Sequence, residues 1–325
     1  MGRTHALAYQ RAARDGFACE LVAVADRSVA SLGEGAGAGN LKTGGDAIDH
    51  SGVTLHRGAQ DLLADESIDL VSICTHTDTH VPLALAALDA GKHVLVEKPV
   101  AIEVDQVERL ADAARATDRL CLPAMCMRYW PAWVKIHAMI GDERYGAVRS
   151  AAFHRLGTRP NWAGEFYADE TRSGGVLCDL HIHDTDFLVH CFGAPERVMT
   201  SGDAMHLSSL YHYGADGPVH MIAEGAWDHQ PGAGFQMRCT VVCERATIDF
   251  NIGREEQLVV YQGDARSVVE VGGLTGYDGQ VRAMLDAIGG DESGVRATME
   301  DAVMTARVLK SERVSMDSGR PCRVG

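Results

Sequence analysis

The first 124 residues alternate short apolar runs with helical stretches, and this pattern restricts the fold more than any other feature of the chain. Residues 20–26 (ELVAVAD), 69–74 (DLVSIC), 93–96 (HVLV) and 120–124 (LCLPA) are too short for helices and rich in Val and Leu. Runs of this kind are strands buried on both faces. Residues 3–14, 79–90 and 103–117 instead bring apolar side chains to one helical face, and Gly91 stops the second of these. Repeated strand and helix build a parallel sheet with right-handed crossovers. Residues 33–45 (GEGAGAGNLKTGG) hold six glycines and read as a loop.

The pattern then changes. Residues 147–155 read as a strand and 174–192 as a helix. From 196 to 271 several alternating stretches follow (VHMIAEGAW, FQMRCTVVC, ATIDF, QLVVY, SVVEV), with turn residues between them. Such stretches predict an antiparallel sheet with one face open. Helices over 278–289 and 298–313 close the chain. The expected architecture is an α/β domain over residues 1–124, then an α+β domain over 125–325 with an open, mainly antiparallel sheet.

Charge and cysteine usage exclude several roles. Asp and Glu number 45 against 30 Lys and Arg, a net charge of −15. That balance repels nucleic-acid phosphates and anionic lipid. No apolar run approaches the ~20 residues of a membrane helix. The nine cysteines form no CxxC pair, and the N-terminus has no apolar signal core, so a reduced, cytoplasmic protein is expected.

Three places carry candidate chemistry. Glu97-Lys98-Pro99 follows the third apolar run, at the carboxyl end of a strand, where open parallel sheets bind ligands. Lys98 there can hydrogen-bond a substrate oxygen; the plain alternative is a surface Lys paired to Glu97. The second place is residues 174–186 (GGVLCDLHIHDTD). On a helix Asp179 and His183 share a face, with Asp186 nearby. An imidazole beside a carboxylate suits proton transfer near neutral pH. The plain alternative is a structural helix with polar contacts. A metal site on His181 and His183, as in a metal-dependent hydrolase, is a further reading, although the two diverge by about 200° on a helix. Third, Asp26 ends the first apolar run. An acid there binds the adenosine ribose and favours NAD, whereas Arg27 suits the 2′-phosphate of NADP. No G-x-G-x-x-G follows any strand, and the 33–45 loop is no substitute because Glu34 would face pyrophosphate.

Two stretches bear a family resemblance. Ala90-Gly91-Lys92-His93-Val94 through Val96-Glu97-Lys98-Pro99 resembles the "GKHVxxEKP" signature of the glucose–fructose oxidoreductase, inositol dehydrogenase and MocA (Gfo/Idh/MocA) family. Residues 174–186 resemble its second signature, "GGxxxDxxxHxxD". Met1-Gly2-Arg3-Thr4-His5 is similar to the end of the family's phosphate loop, and Val24-Ala25-Asp26-Arg27 to the end of its second strand.

The resemblance implies a Rossmann domain, a substrate domain on an open sheet, and NAD(P)-dependent oxidation of a sugar, polyol or inositol. It places Lys98, Asp179 and His183 at catalytic positions. Gly2, Arg3, Asp26, Arg27, Thr75, His76, His80, Glu97 and Lys98 fall at cofactor positions. Arg128 and Trp162, with His183, face the substrate; no metal is implied. It further implies a homodimer or tetramer through the C-terminal sheet. A nucleotide-binding sensor without catalysis is the alternative on the same fold. Two departures stand out: His76 replaces a usual Pro, and His181 a frequent Gly, which would add a polar side chain near the site. The resemblance also implies that the central first strand and its Gly turn, roughly ten residues, belong upstream of Met1. Without that strand, residues 20–26 and 69–74 would flank a gap or pair anew.

Overall fold

Thirteen residues with small and apolar side chains on one face form helix α1 (Gly2–Arg14), which buries Ala6, Leu7, Ala8 and Ala12. The chain then runs through β1 (Ala23–Ala25), β2 (Thr54–His56), α2 (Ala59–Leu63), β3 (Leu70–Ile73), α3 (His80–Asp89), β4 (His93–Glu97), α4 (Val104–Arg115) and β5 (Cys121–Ala124). The computed structural model describes residues 1–26, 47–161 and 165–325. The Gly-rich run 33–45, Arg27 and Trp162 therefore lie outside the described residues.

β3, β4 and β5 form one parallel sheet, in which Val94, Leu95 and Val96 are wholly buried. Among the described residues β1 pairs in parallel with β2 alone. Residues 20–26 and 69–74 do not pair anew with each other; among the described residues β1 and β3 belong to separate sheets.

The second run is α5 (Pro131–Gly141), β6 (Val148–Leu156), α6 (Glu170–Ser173), a π turn (Leu177–His181), α7 (Ile182–Phe192) and seven strands. These strands are β7 (Arg197–Gly202), β8 (His206–His212), β9 (His220–Ala226), β10 (Gln236–Cys243), β11 (Thr247–Asn251), β12 (Leu258–Gln262) and β13 (Ala265–Val268). Helices α8 (Gly276–Ile288) and α9 (Met299–Ser318) and the short β14 (Cys322–Arg323) complete the chain. The large sheet has the order β13-β12-β11-β10-β6-β9-β8-β7-β14, antiparallel except for the β6–β9 pair. Alternate residues of β6, β8 and β10 are buried, the period of a sheet covered on one face. Trp133 of α5, Phe153 of β6, Phe187 of α7 and Phe250 of β11 fill the covered side, with ring centroids 4.5–6.1 Å apart. Arg155 of β6 is buried there, its Nε and Nη2 donating to the Asp184 carboxylate of α7 at 3.0 and 2.8 Å.

A single cut at residue 124 does not reproduce the two units of the structure. One comprises Met1–Ala101, Asp105–Tyr129 and Thr275–Ala302; the other Ile102–Val104, Trp130–Leu274 and Val303–Gly325. The physical reason is α8, whose Val281 and Met284 share a buried cluster with Ala8, Ala12, Leu95 and Leu122 of the first unit. Arg11 of α1 also donates to Asp278 of α8 at 2.7 Å.

Candidate catalytic and cofactor residues

In the first unit the expected residues gather at strand ends and at the start of α1. Gly2 and Arg3 form the first turn of α1, which has no acidic residue and no side-chain cap. The leading amides of a helix have no intrahelical acceptor and form a place for an anion. A Cβ on Gly2 would lie 3.8 Å from Cβ of Cys74, so α1 begins beside the end of β3. Asp26 is exposed just past β1, its amide donating to the His56 carbonyl at 3.0 Å. Thr75 is exposed after β3, and its hydroxyl accepts from Thr79 at 2.7 Å. His76 is half-buried, and its carbonyl accepts from the same Thr79 hydroxyl at 2.8 Å.

Glu97 ends β4, and its carboxylate is occupied by protein donors. Nε2 of His5 lies 2.8 Å from Oε1, and the Lys98 amide donates to Oε2 at 3.2 Å. Both side chains are buried. Burial opposes charge on His5, but Cys74 and the Glu97 carboxylate outweigh it and raise its pKa to about 10. Burial likewise opposes charge on Glu97, yet the hydrogen bond and charge of His5 hold its pKa below the usual carboxylate value. Local spacing carried no sign of His5, which reaches Glu97 from 92 residues away.

His80 is buried, with Nδ1 2.9 Å from the Pro99 carbonyl and Nε2 3.0 Å from the Thr75 carbonyl. Burial holds its pKa below the ordinary imidazole value, so the neutral ring donates to one carbonyl and borders the other. The ring thus ties the turn after β3 to the turn after β4. Lys98 itself is half-exposed, whereas its neighbours in 94–100 are all buried.

Arg128, expected to face the substrate, is held by groups of the protein. It is 1% exposed, donating to the Arg296 carbonyl at 2.9 Å and lying 3.0 Å from Asp301. A buried guanidinium needs such partners, and this one joins parts of the first unit to each other.

In the second unit the candidate helix is not continuous. Gly174 caps α6 at φ +74°, the left-handed region, and the π turn Leu177–His181 leads into α7. Asp179 lies within the π turn and His183 just beyond it. Every residue of 173–189 is buried except these two. Asp186 is buried, its carboxylate accepting from Thr305 at 3.1 Å. His181 does not add a polar group to an open site: it is 0% exposed, with Nε2 3.0 Å from the Tyr211 hydroxyl and 3.4 Å from Glu312. With Nε2 so engaged and the ring fully buried, His181 has only Nδ1 to offer the metal reading built on His181 and His183. Among the described residues no group of three His, Cys, Asp or Glu is arranged to hold a metal ion.

Residues 1–125 match an oxidoreductase family with an NAD-binding Rossmann fold, and residues 133–259 match the Gfo/Idh/MocA C-terminal domain. The chain belongs to the Gfo/Idh/MocA family. It is 34% identical over 146 residues to the uncharacterized oxidoreductase ORF334 of Rhizobium meliloti, covering 44% of this chain and 43% of that protein. It is 29% identical over 153 residues to the scyllo-inositol 2-dehydrogenase (NAD(+)) of Bacillus subtilis, covering 46% and 43%. The aligned part thus spans less than half the length of these relatives. The fold is shared with a levoglucosan dehydrogenase solved with NADH and levoglucosan, at a TM-score of 0.81 and 19% identity over 100% of this chain and 96% of that one.

An NAD-type dinucleotide suits the residues present in the first unit. The uncapped, acid-free start of α1 matches a pyrophosphate, and the exposed Asp26 carboxylate at a strand end matches ribose hydroxyls.

Proposed function

We propose that this protein transfers a hydride between NAD and a hydroxyl-bearing carbon of a sugar, polyol or inositol. The observation that carries the reading is a pattern of exposure. Asp179 and His183 are the two residues not buried in 173–189, and Lys98 is the one not buried in 94–100. Each signature of the chain withdraws its neighbours from water, other titratable groups included, and leaves these three side chains partly accessible. The relatives named as dehydrogenases support the same reaction class.

Gly2 and Arg3 would hold the pyrophosphate and Asp26 the ribose, with Thr75 and His76 beside them. Bound NAD supplies the hydride acceptor. His183 takes the proton of the substrate hydroxyl. Lys98 donates a hydrogen bond to a substrate oxygen and stabilises the negative charge that develops there. Asp179, inside the π turn that leads to His183, orients the imidazole. Asp26 favours NAD over NADP, because a 2′-phosphate would meet its carboxylate. No disulfide joins the nine cysteines, which supports action in the cytoplasm. No described helix is long and apolar enough to cross a membrane. The open face of the large sheet, with Leu210 44% exposed, supports assembly into dimers or tetramers.

A panel of sugars, polyols and inositols, each with NAD and with NADP, tests the reading through the absorbance of reduced nicotinamide. Formation of NADH with at least one member is expected. NAD binding without reduction across the panel would instead identify a sensor, and faster NADP reduction would overturn the role given to Asp26.

A further inference from the structure

We propose that His181 and Glu312 form a buried clasp that sets the π turn and so positions Asp179 and His183 for proton transfer. The inference rests on the catalytic reading above. A π turn holds one residue more than an α turn, is rare, and is retained chiefly at functional sites. Here it spans Leu177–His181, so Asp179 sits inside it and His183 two residues beyond its end. The direction in which both project therefore depends on how the turn is held.

α9 holds that segment at four points. Arg313 donates to the Gly174 carbonyl at 2.9 Å, at the start. Glu312, fully buried, lies 3.4 Å from Nε2 of His181 and accepts from Thr185 at 3.2 Å. Thr305 donates to Asp186 at 3.1 Å, at the far end. From the sheet side, Tyr211 of β8 meets both His181 and Thr185, at 3.0 and 3.1 Å. The clasp thus brackets His183, with one contact two residues before it and one two residues after.

The ring of His181 needs a notch, and Gly225 of β9 supplies it. A Cβ there would stand 3.0 Å from Cβ and 3.3 Å from Nδ1 of His181. A leucine at 181 would anchor the turn without burying a carboxylate. A buried carboxylate facing an imidazole costs desolvation and confers orientation, since only one rotation of the turn brings the ring beside the carboxylate while Thr185 donates to its other oxygen. Thus His181 and Glu312 are positioning residues, and they act through Asp179 and His183.

The test follows the ring signals of His183 by NMR titration, assigned with His183→Asn, alongside kcat and KM. Both His181→Leu and Glu312→Gln are expected to move the His183 midpoint by about 0.5 pH unit or more. They should also lower kcat about tenfold or more, with KM changed less than about twofold. His181→Gln keeps a donor at the position of Nε2 and restores both values toward wild type. Phe250→Leu, which loosens the same unit's aromatic core, leaves the midpoint in place. A midpoint that stays within about 0.1 unit in folded Glu312→Gln would overturn the proposal. So would a midpoint in His181→Gln displaced as far as in Glu312→Gln. Should His181→Leu not fold, those two variants decide alone. Absence of turnover in wild type would count against the dehydrogenase reading, while the titration still judges the clasp.

Discussion

His5 and Glu97 meet at 2.8 Å out of reach of water, and their linkage to pH has a definite sign. His5 rises from 6.5 in the unfolded chain to about 10 in the folded one. The stability it contributes is therefore present in full below pH 6.5 and is lost as pH climbs toward 10. Thermal unfolding of wild type should fall in midpoint across that window, and His5→Gln should remove most of the slope. Parallel midpoint curves for the two proteins would refute the linkage. Glu97→Gln, which leaves His5 buried without its carboxylate, should cost about 3 kcal/mol in denaturant unfolding. Lys98 is tested by turnover: Lys98→Ala should lower kcat about a hundredfold or more while NADH titration stays near wild type. Equal loss of nucleotide affinity would make Lys98 a binding residue only. Lys98, Asp179 and His183 stand out in the sequence because each lies in a dense local pattern, and the roles proposed for them rest on that pattern and on their exposure. Glu312, Gly225 and Tyr211 were not, since what makes them matter is a partner more than twenty residues away in the chain. The partners of Arg128, the Arg296 carbonyl and Asp301, were out of reach of the sequence for the same reason: they lie far along the chain.

Strand and helix positions followed closely from apolar spacing, as in residues 120–124, where the structure has β5 at Cys121–Ala124. The break inside 174–192 did not. Gly174-Gly175 looked like the start of a helix, whereas Gly174 ends α6 and a π turn intervenes. An amphipathic pattern shows a helix by the period of its exposed positions, and in 173–189 all but two residues are buried, too few exposed ones to reveal the extra residue of a π turn. Gly174 carries a prediction of its own. At φ +74°, a Cβ would fall 2.3 Å from Cβ of Cys178, on a segment held by the Arg313 bond. Gly174→Ala should destabilise the protein by about 2 kcal/mol and lower kcat, with NADH affinity unchanged. A stability equal to wild type, measured by chemical unfolding, would contradict the strain. The short β2 and α2 went unread because three and five residues are too few to show a period.

For the whole molecule, the sequence separated two architectures correctly in order but not in membership. Helix periodicity in 278–289 cannot say which core α8 joins; the match of Val281 and Met284 to the α1 cluster decides it. The open sheet face sets the expected assembly. Leu210→Asp, a charge on that face, should shift the protein to monomer in sedimentation while the folded midpoint changes little. A wild type that already sediments as a monomer at micromolar concentration would remove the assembly reading. The proposed hydride transfer from carbon to nicotinamide is followed directly by an isotope. The substrate found in the panel is labelled with deuterium at the reacting carbon and incubated with NAD, and the product nicotinamide is weighed by mass spectrometry. NADH carrying the deuterium is the predicted result, whereas NADH without it, or no NADH from any labelled polyol, would contradict the account.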